Sequence, residues 1–236
     1  MSSTDPASTI ILFQDDHLLV VDKQPGIPVQ ADRTGDPSLQ QQVQAMFPAG
    51  SVEIGSPHRL DRPVSGLVIF TKSIEALRGM DEIFRRAAVE KTYLALVEGR
   101  TPEKGECSHV LGHAGGSRKA KVLEEKDADG RNAKLTFTTK ALGERFSLLE
   151  VRPEGGAFHQ IRAQLATIGH PIKGDVKYGA RRGEQDRSIA LHAWRMRFDH
   201  PVTGTPLELK APMPTRSIWP ALLALAEEGG MVAGDK

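Results

Sequence analysis

The chain has 236 residues, with 31 Lys and Arg against 30 Asp and Glu, for a formal net charge of +1. That balance excludes a polyanion binder driven by bulk charge, so any nucleic-acid surface must come from how the cations are distributed. The single cysteine, Cys107, excludes an intramolecular disulfide and fits a reducing compartment.

A chain of this length buries roughly 70–75% of its unfolded surface, so its core needs no disulfide or metal. Met1 to Thr9 is polar, without the cationic and apolar segments of a secretory leader, and no apolar stretch is as long as a membrane span. The composition predicts a cytoplasmic, soluble protein with one domain over residues 1–236, a core over about 10–214 and a frayed tail over 230–236.

Ile10 to Phe13 and Leu18 to Lys23 read as strands around an Asp15-Asp16 turn, and Pro25-Gly26 reads as the next turn. Ser38 is placed to cap a short helix with Leu39, Val43 and Met46 on one face. Pro57 to Gly66 reads as a charged loop, His58-Arg59-Leu60-Asp61-Arg62, feeding the apolar strand Leu67 to Lys72. Ser73 caps a longer helix whose stripe is Leu77, Met80, Ile83, Phe84 and Ala87. Lys91 to Gly99 is a strand carrying Tyr93, and Lys119 to Leu123 is a weaker one. Leu135 to Thr139 and Phe146 to Val151 are strands joined at Gly143.

The next helix carries Phe158, Ile161, Leu165 and Ile168 on one face and stops at Gly169-His170-Pro171. Arg162 falls at the edge of that stripe. Pro171 to Gly179 is a glycine-punctuated loop, Ser188 to Phe198 and Leu207 to Lys210 form a hairpin, and Ser217 to Leu225 is a terminal helix. Cations gather at Arg85-Arg86, Arg118 to Lys121 and Lys173 to Arg182, and acids at Glu124 to Asp129 and Glu227-Glu228.

Three residues invite chemistry, each beside a plainer alternative. Asp61, enclosed by guanidinium groups before a core strand, suits an ionised functional carboxylate or a loop-end ion pair. Tyr93 is a stacking ring or an ordinary strand aromatic. Arg162 turns into a cleft or snorkels along the surface. The sequence has no P-loop, no dinucleotide fingerprint, no cysteine pair and no His-Glu-x-x-His. A metal hydrolase on His58 and Asp61 lacks a ligand set, and a glycosidase lacks a second acid. One acid, one tyrosine and many cations suit a planar, anionic substrate, with an aromatic for the base and cations for phosphates.

The run His58-Arg59-Leu60-Asp61 with Ser65-Gly66 and the strand after it closely resembles the signature of the RluA family of RNA pseudouridine synthases. Further stretches resemble the family in its own order. They are Lys23 to Gly26 (a loose fit), Lys91 to Gly99, His159-Gln160-Ile161-Arg162, Pro171 to Asp175 with Tyr178-Gly179, Leu191-His192-Ala193, His200 to Gly204, and Ala211 to Pro214. The resemblance implies an α+β fold on a long, mostly antiparallel mixed sheet with flanking helices and a central cleft.

It also implies roles. Asp61 matches the catalytic aspartate, Tyr93 the residue stacked on the target base, and Arg162 the basic partner of the aspartate. Arg59 matches an arginine that holds the flipped-out nucleotide's site, Leu191 lines the pocket, and His58 and Lys173 join them on the substrate side. The implied reaction isomerises uridine in rRNA or tRNA without cofactor or metal, by a monomer that needs no membrane. A non-catalytic RNA-binding protein on the same fold is the alternative.

Two stretches depart from the pattern: Val64 stands where Thr is usual, and Ala157-Phe158 where Arg-Thr is usual. The second removes a cation beside the cleft. The resemblance is to the short form, since only about ten residues precede the first strand, too few for a packed RNA-binding module.

Overall fold

The computed structural model describes residues 9–113, 119–123 and 130–229. Arg118 and the expected tail lie outside the described residues. The chain divides into two compact units, residues 1–91 with 193–212, and residues 92–192 with 213–236.

In the first unit, β1 (Ile10–Gln14), β2 (Leu18–Lys23), β3 (Ser65–Thr71), β9 (Leu191–Asp199, from Ala193 onward) and β10 (Pro206–Lys210) are neighbours in the order β1-β2-β3-β9-β10. The central strands β2 and β3 are buried along their whole length, and their apolar stretches, Leu18 to Val21 and Leu67 to Phe70, run without alternation. Gly66 is required in β3: its φ is 109°, and a Cβ there would meet the Ala193 carbonyl oxygen at 2.2 Å.

The helix α1 (Leu39–Gln44) begins at the expected cap, with the Ser38 hydroxyl accepting from the Gln41 N–H and the Gln41 side chain returning the bond to the Ser38 N–H. The helix α2 (Ile74–Arg85) is capped by Ser73, which accepts from the Ala76 N–H at 3.1 Å. Ala87 falls outside this helix's stripe: α2 ends at Arg85, and Ala87 is exposed in the left-handed region.

In the second unit, β4 (Glu90–Glu98), β5 (Lys104–His113), β6 (Ala120–Leu123), β7 (Arg131–Leu142) and β8 (Phe146–Glu154) are ordered β4-β8-β7-β5-β6. Their pairings are antiparallel, giving with the helices the α+β class that the motifs imply.

Nothing in its composition marks β5 as a strand. It forms because β7 offers a complete ladder, with Cys107 opposite Leu135 and both buried. The same pairing extends β7 well before Leu135.

The helix α3 (Gln160–Thr167) corrects the stripe read from the sequence. Gln160, Arg162 and Gln164 are buried with Ile161 and Leu165, while Ile168 lies past the helix end and is exposed. The glutamines are inside because they bond sheet carbonyls: Gln160 Nε2 donates to Lys134 O at 2.9 Å, and Gln164 Nε2 to Ala133 O at 2.8 Å. Gly169, at φ 86°, ends the helix as expected. A 3-10 turn follows at Val176–Tyr178, and α4 (Trp219–Glu227) packs against β7 and β8. Among the described residues, no helix is long and apolar enough to cross a membrane.

Candidate active site

Asp61 lies on the loop before β3, half-buried between Leu60 and Val64, which are buried. The loop is pinned on both sides of it. Upstream, the Ile69 N–H of β3 donates to His58 Nε2 at 2.9 Å, and the His58 ring packs on Phe84 with centroids 5.0 Å apart. Downstream, Lys23 has no exposed surface and its ammonium donates to Val64 O at 2.6 Å, Arg62 O at 3.1 Å and Gln24 O at 3.0 Å. The Gly26 N–H donates to Arg62 O at 2.8 Å, and Arg62 Nε returns a bond to Gly26 O at 2.7 Å. The remaining Arg62 donors reach Thr34 and Asp36. The Val64 N–H closes the turn on Asp61 O at 3.0 Å. The Val64 departure is therefore absorbed by the core, since the loop uses this residue's backbone.

The two residues that open the motif differ in character. Arg59 is exposed. The His58 imidazole is engaged with the protein, and its pKa is lowered to about 3, first by desolvation and then by the charge of Lys91. It is neutral at ordinary pH, which Nε2 requires in order to accept the Ile69 N–H. Burial also lowers the Lys91 pKa.

In the second unit, Tyr93 is half-buried on β4 opposite Val151 of β8. Arg162 is 4% exposed, which places it inside the protein rather than at a helix edge. Its Nε and Nη2 donate to the two carboxylate oxygens of Asp175 at 2.7 and 2.9 Å, a bidentate pair. Its guanidinium also lies 5.0 Å from the centre of the Tyr178 ring. Asp175 and Tyr178 sit on one tight turn, closed by the Tyr178 N–H to Asp175 O at 2.9 Å. One short segment thus holds the guanidinium by its edge and by its face. Asp175 and Tyr178 carry no assigned role in the sequence reading. Their only signal there is their place in the motif running from Pro171 to Gly179.

The Ala157-Phe158 departure is filled with packing. Both residues join an apolar cluster with Leu111, Ala120, Ala133, Ala163 and Tyr178. Phe158 also stacks on His159 at 3.8 Å between ring centres.

Leu191 is buried at the start of β9. Lys173 bonds to Glu184 and to Ser217 Oγ at 3.0 Å, with its ammonium 5.8 Å from the centre of the Phe146 ring. Lys173, Glu184 and Phe146 border a cavity of about 680 Å³ that also takes in Glu98 and Arg145. Glu98 pairs with Phe146 in register, an odd number of residues from Tyr93, so both point to the opposite face of the sheet from Tyr93. The structure therefore sets Lys173 and Tyr93 on different faces. Among the described residues, no group of three or more His, Cys, Asp or Glu is placed to hold a metal ion.

Residues 17–167 match the RNA pseudouridylate synthase family. The chain is 33% identical over 216 residues to ribosomal large subunit pseudouridine synthase C of Yersinia pestis, which covers 86% of this chain and 65% of that protein. It is 31% identical over 228 residues to tRNA pseudouridine synthase C of Haemophilus ducreyi, covering 85% and 89%. The chain thus spans about two-thirds of the length of the ribosomal-subunit relative. Its fold is similar to that of human RNA pseudouridylate synthase domain containing 1, with a TM-score of 0.76, 24% identity, and 94% and 89% of the two chains covered. By its match over residues 17–167 and its identity to these relatives, the chain belongs to the RNA pseudouridylate synthase family.

Proposed function

We propose that this chain is an RNA pseudouridine synthase that isomerises particular uridines in structured ribosomal or transfer RNA. The observation that carries the reading is how Asp61 is held: a half-buried carboxylate on a loop pinned through His58 on one side and through Lys23 and Gly26 on the other. Such fixing suits a group that must meet one reacting carbon or proton in a set geometry.

In the reaction the target base leaves the stack, and the N1–C1′ bond breaks. The uracil turns in place and C5 bonds to C1′. The proton lost from C5 is matched by one gained at N1, so the composition is unchanged and no cofactor is consumed. Asp61 serves as the nucleophile or as the base at the sugar, and either role needs the ionised form. Tyr93 stacks on the uracil, Arg162 supports the ionised Asp61, Arg59 holds the vacated site and Leu191 lines the pocket. His58 acts by positioning the loop. The exposed side chains of Lys119 and Lys121, on and beside β6, supply phosphate contacts. The protein works as a cytoplasmic monomer.

The test is Asp61→Asn, which keeps the size and removes the charge. Tritium release from 5-tritiated uridine in ribosomal and transfer RNA transcripts should vanish while filter binding to the same RNA is retained. Chelators should leave the wild type unaffected. Turnover by the Asn variant, or loss of wild-type activity with EDTA, would overturn the assignment.

A further inference from the structure

Tyr178 gathers contacts that packing alone does not call for. Its hydroxyl accepts the Ala120 N–H of β6 at 2.8 Å and lies 2.8 Å from His159 Nδ1. The hydroxyl thus bonds both the Ala120 amide and the His159 ring, with the direction of the second bond set by the His159 tautomer. His159 itself stands at the start of α3 with a left-handed backbone (φ 52°), a strained setting that persists only where its surroundings hold it. The Tyr178 ring meanwhile carries two cations, the Arg162 guanidinium at 5.0 Å and the Lys119 ammonium at 5.9 Å. One side chain therefore touches the helix bearing Arg162, the residue at that helix's start, and the basic end of the β5–β6 hairpin.

We propose that Tyr178 is a positioning residue with two separable duties: its ring seats Arg162, and its hydroxyl docks the basic hairpin against α3. The proposal rests on the pseudouridine synthase reading. If Arg162 serves the reacting Asp61, the ring governs the chemical step. If the hairpin's lysines serve phosphates, the hydroxyl governs RNA binding. Asp175 cannot substitute for either duty, because its carboxylate meets only the edge of the guanidinium and does not reach β6 through the bonds described.

The experiment compares Tyr178→Phe with Tyr178→Leu in single-turnover tritium release from ribosomal and transfer RNA transcripts. Amide hydrogen exchange at Ala120 is followed in parallel. Tyr178→Phe keeps the ring, so the saturated rate should stay within roughly twofold of wild type. The half-saturating RNA concentration should rise roughly three- to tenfold, the scale of one lost hydrogen bond. Exchange at Ala120 should quicken. Tyr178→Leu loses the ring face as well, so its saturated rate should also fall, by roughly tenfold.

Unchanged exchange and unchanged RNA dependence in Tyr178→Phe would overturn the hydroxyl's duty. Equal saturated rates for Phe and Leu would overturn the ring's. A parallel fall of both parameters, in step with thermal melting, would reduce Tyr178 to a packing residue. Failure of the wild type to release tritium from any RNA would instead overturn the functional reading, and exchange at Ala120 would still decide whether the hydroxyl docks the hairpin.

Discussion

The buried pair of Arg162 and Asp175 makes the sharpest prediction about stability. Their side chains are 5% and 1% exposed, and two charge-assisted hydrogen bonds of 2.7 and 2.9 Å join them. Asp175→Asn preserves the shape and one acceptor oxygen, but it turns an NH2 group toward a guanidinium N–H and leaves the buried cation without its carboxylate. Removing one partner of a buried pair costs about 3–5 kcal/mol. The retained acceptor and the Tyr178 ring place this case at the lower end, about 3 kcal/mol. At a urea m-value of about 2–3 kcal/mol per molar, the unfolding midpoint should fall by roughly 1 M.

The control is Arg162→Met in the Asp175→Asn background, which removes the charge that Asp175 no longer meets and should recover much of the loss. An Asp175→Asn protein within about 0.5 kcal/mol of wild type, with no coupling to Arg162, would refute the reasoning. The same geometry makes Arg162→Ala a poor probe of catalysis by itself, because it strands a buried carboxylate. Arg162→Lys keeps the charge but cannot form the two-pronged bond.

His58 predicts a pH dependence. Its folded pKa of about 3 lies below the unfolded value near 6.5, so the unfolded chain binds the extra proton and stability is lost as pH falls from about 6.5 toward 3. The slope should reach about 1.4 kcal/mol per pH unit, and urea titrations should show a shallower one in His58→Asn, which keeps an acceptor without titrating. An equal slope in both proteins would assign the effect elsewhere. Lys23→Met should fill the same space but remove the ammonium from three carbonyls, of which Arg62 O keeps the Gly26 N–H, costing about 2–4 kcal/mol. If the Asp61 loop depends on that donor, tritium release should fall further than stability explains, and an active, loop-ordered Lys23→Met protein would contradict this.

Much was legible without coordinates. Strands such as β2 and β3 announce themselves because central strands are buried on both faces, which shows as the apolar stretches Leu18 to Val21 and Leu67 to Phe70. Helix starts at Ser38 and Ser73 are written in one residue each, since capping is a local bond between a hydroxyl and a nearby N–H. The roles of Asp61, Tyr93 and Arg162 come from the resemblance of their motifs to the family, since each residue type by itself also fits a plainer structural place.

What tertiary structure alone decided is where polar groups find partners. Gln160, Gln164 and Arg162 resemble surface residues in any helical projection, and they are buried because carbonyls of β7 and the carboxylate of Asp175 happen to face them. β5 exists because β7 pairs with it, and Lys23 is fully buried because three carbonyls surround its ammonium. Apolar burial and capping follow from a residue's own chemistry and its near neighbours. Most of these buried hydrogen bonds depend on a partner more than ten residues away, and only the folded chain brings the two together.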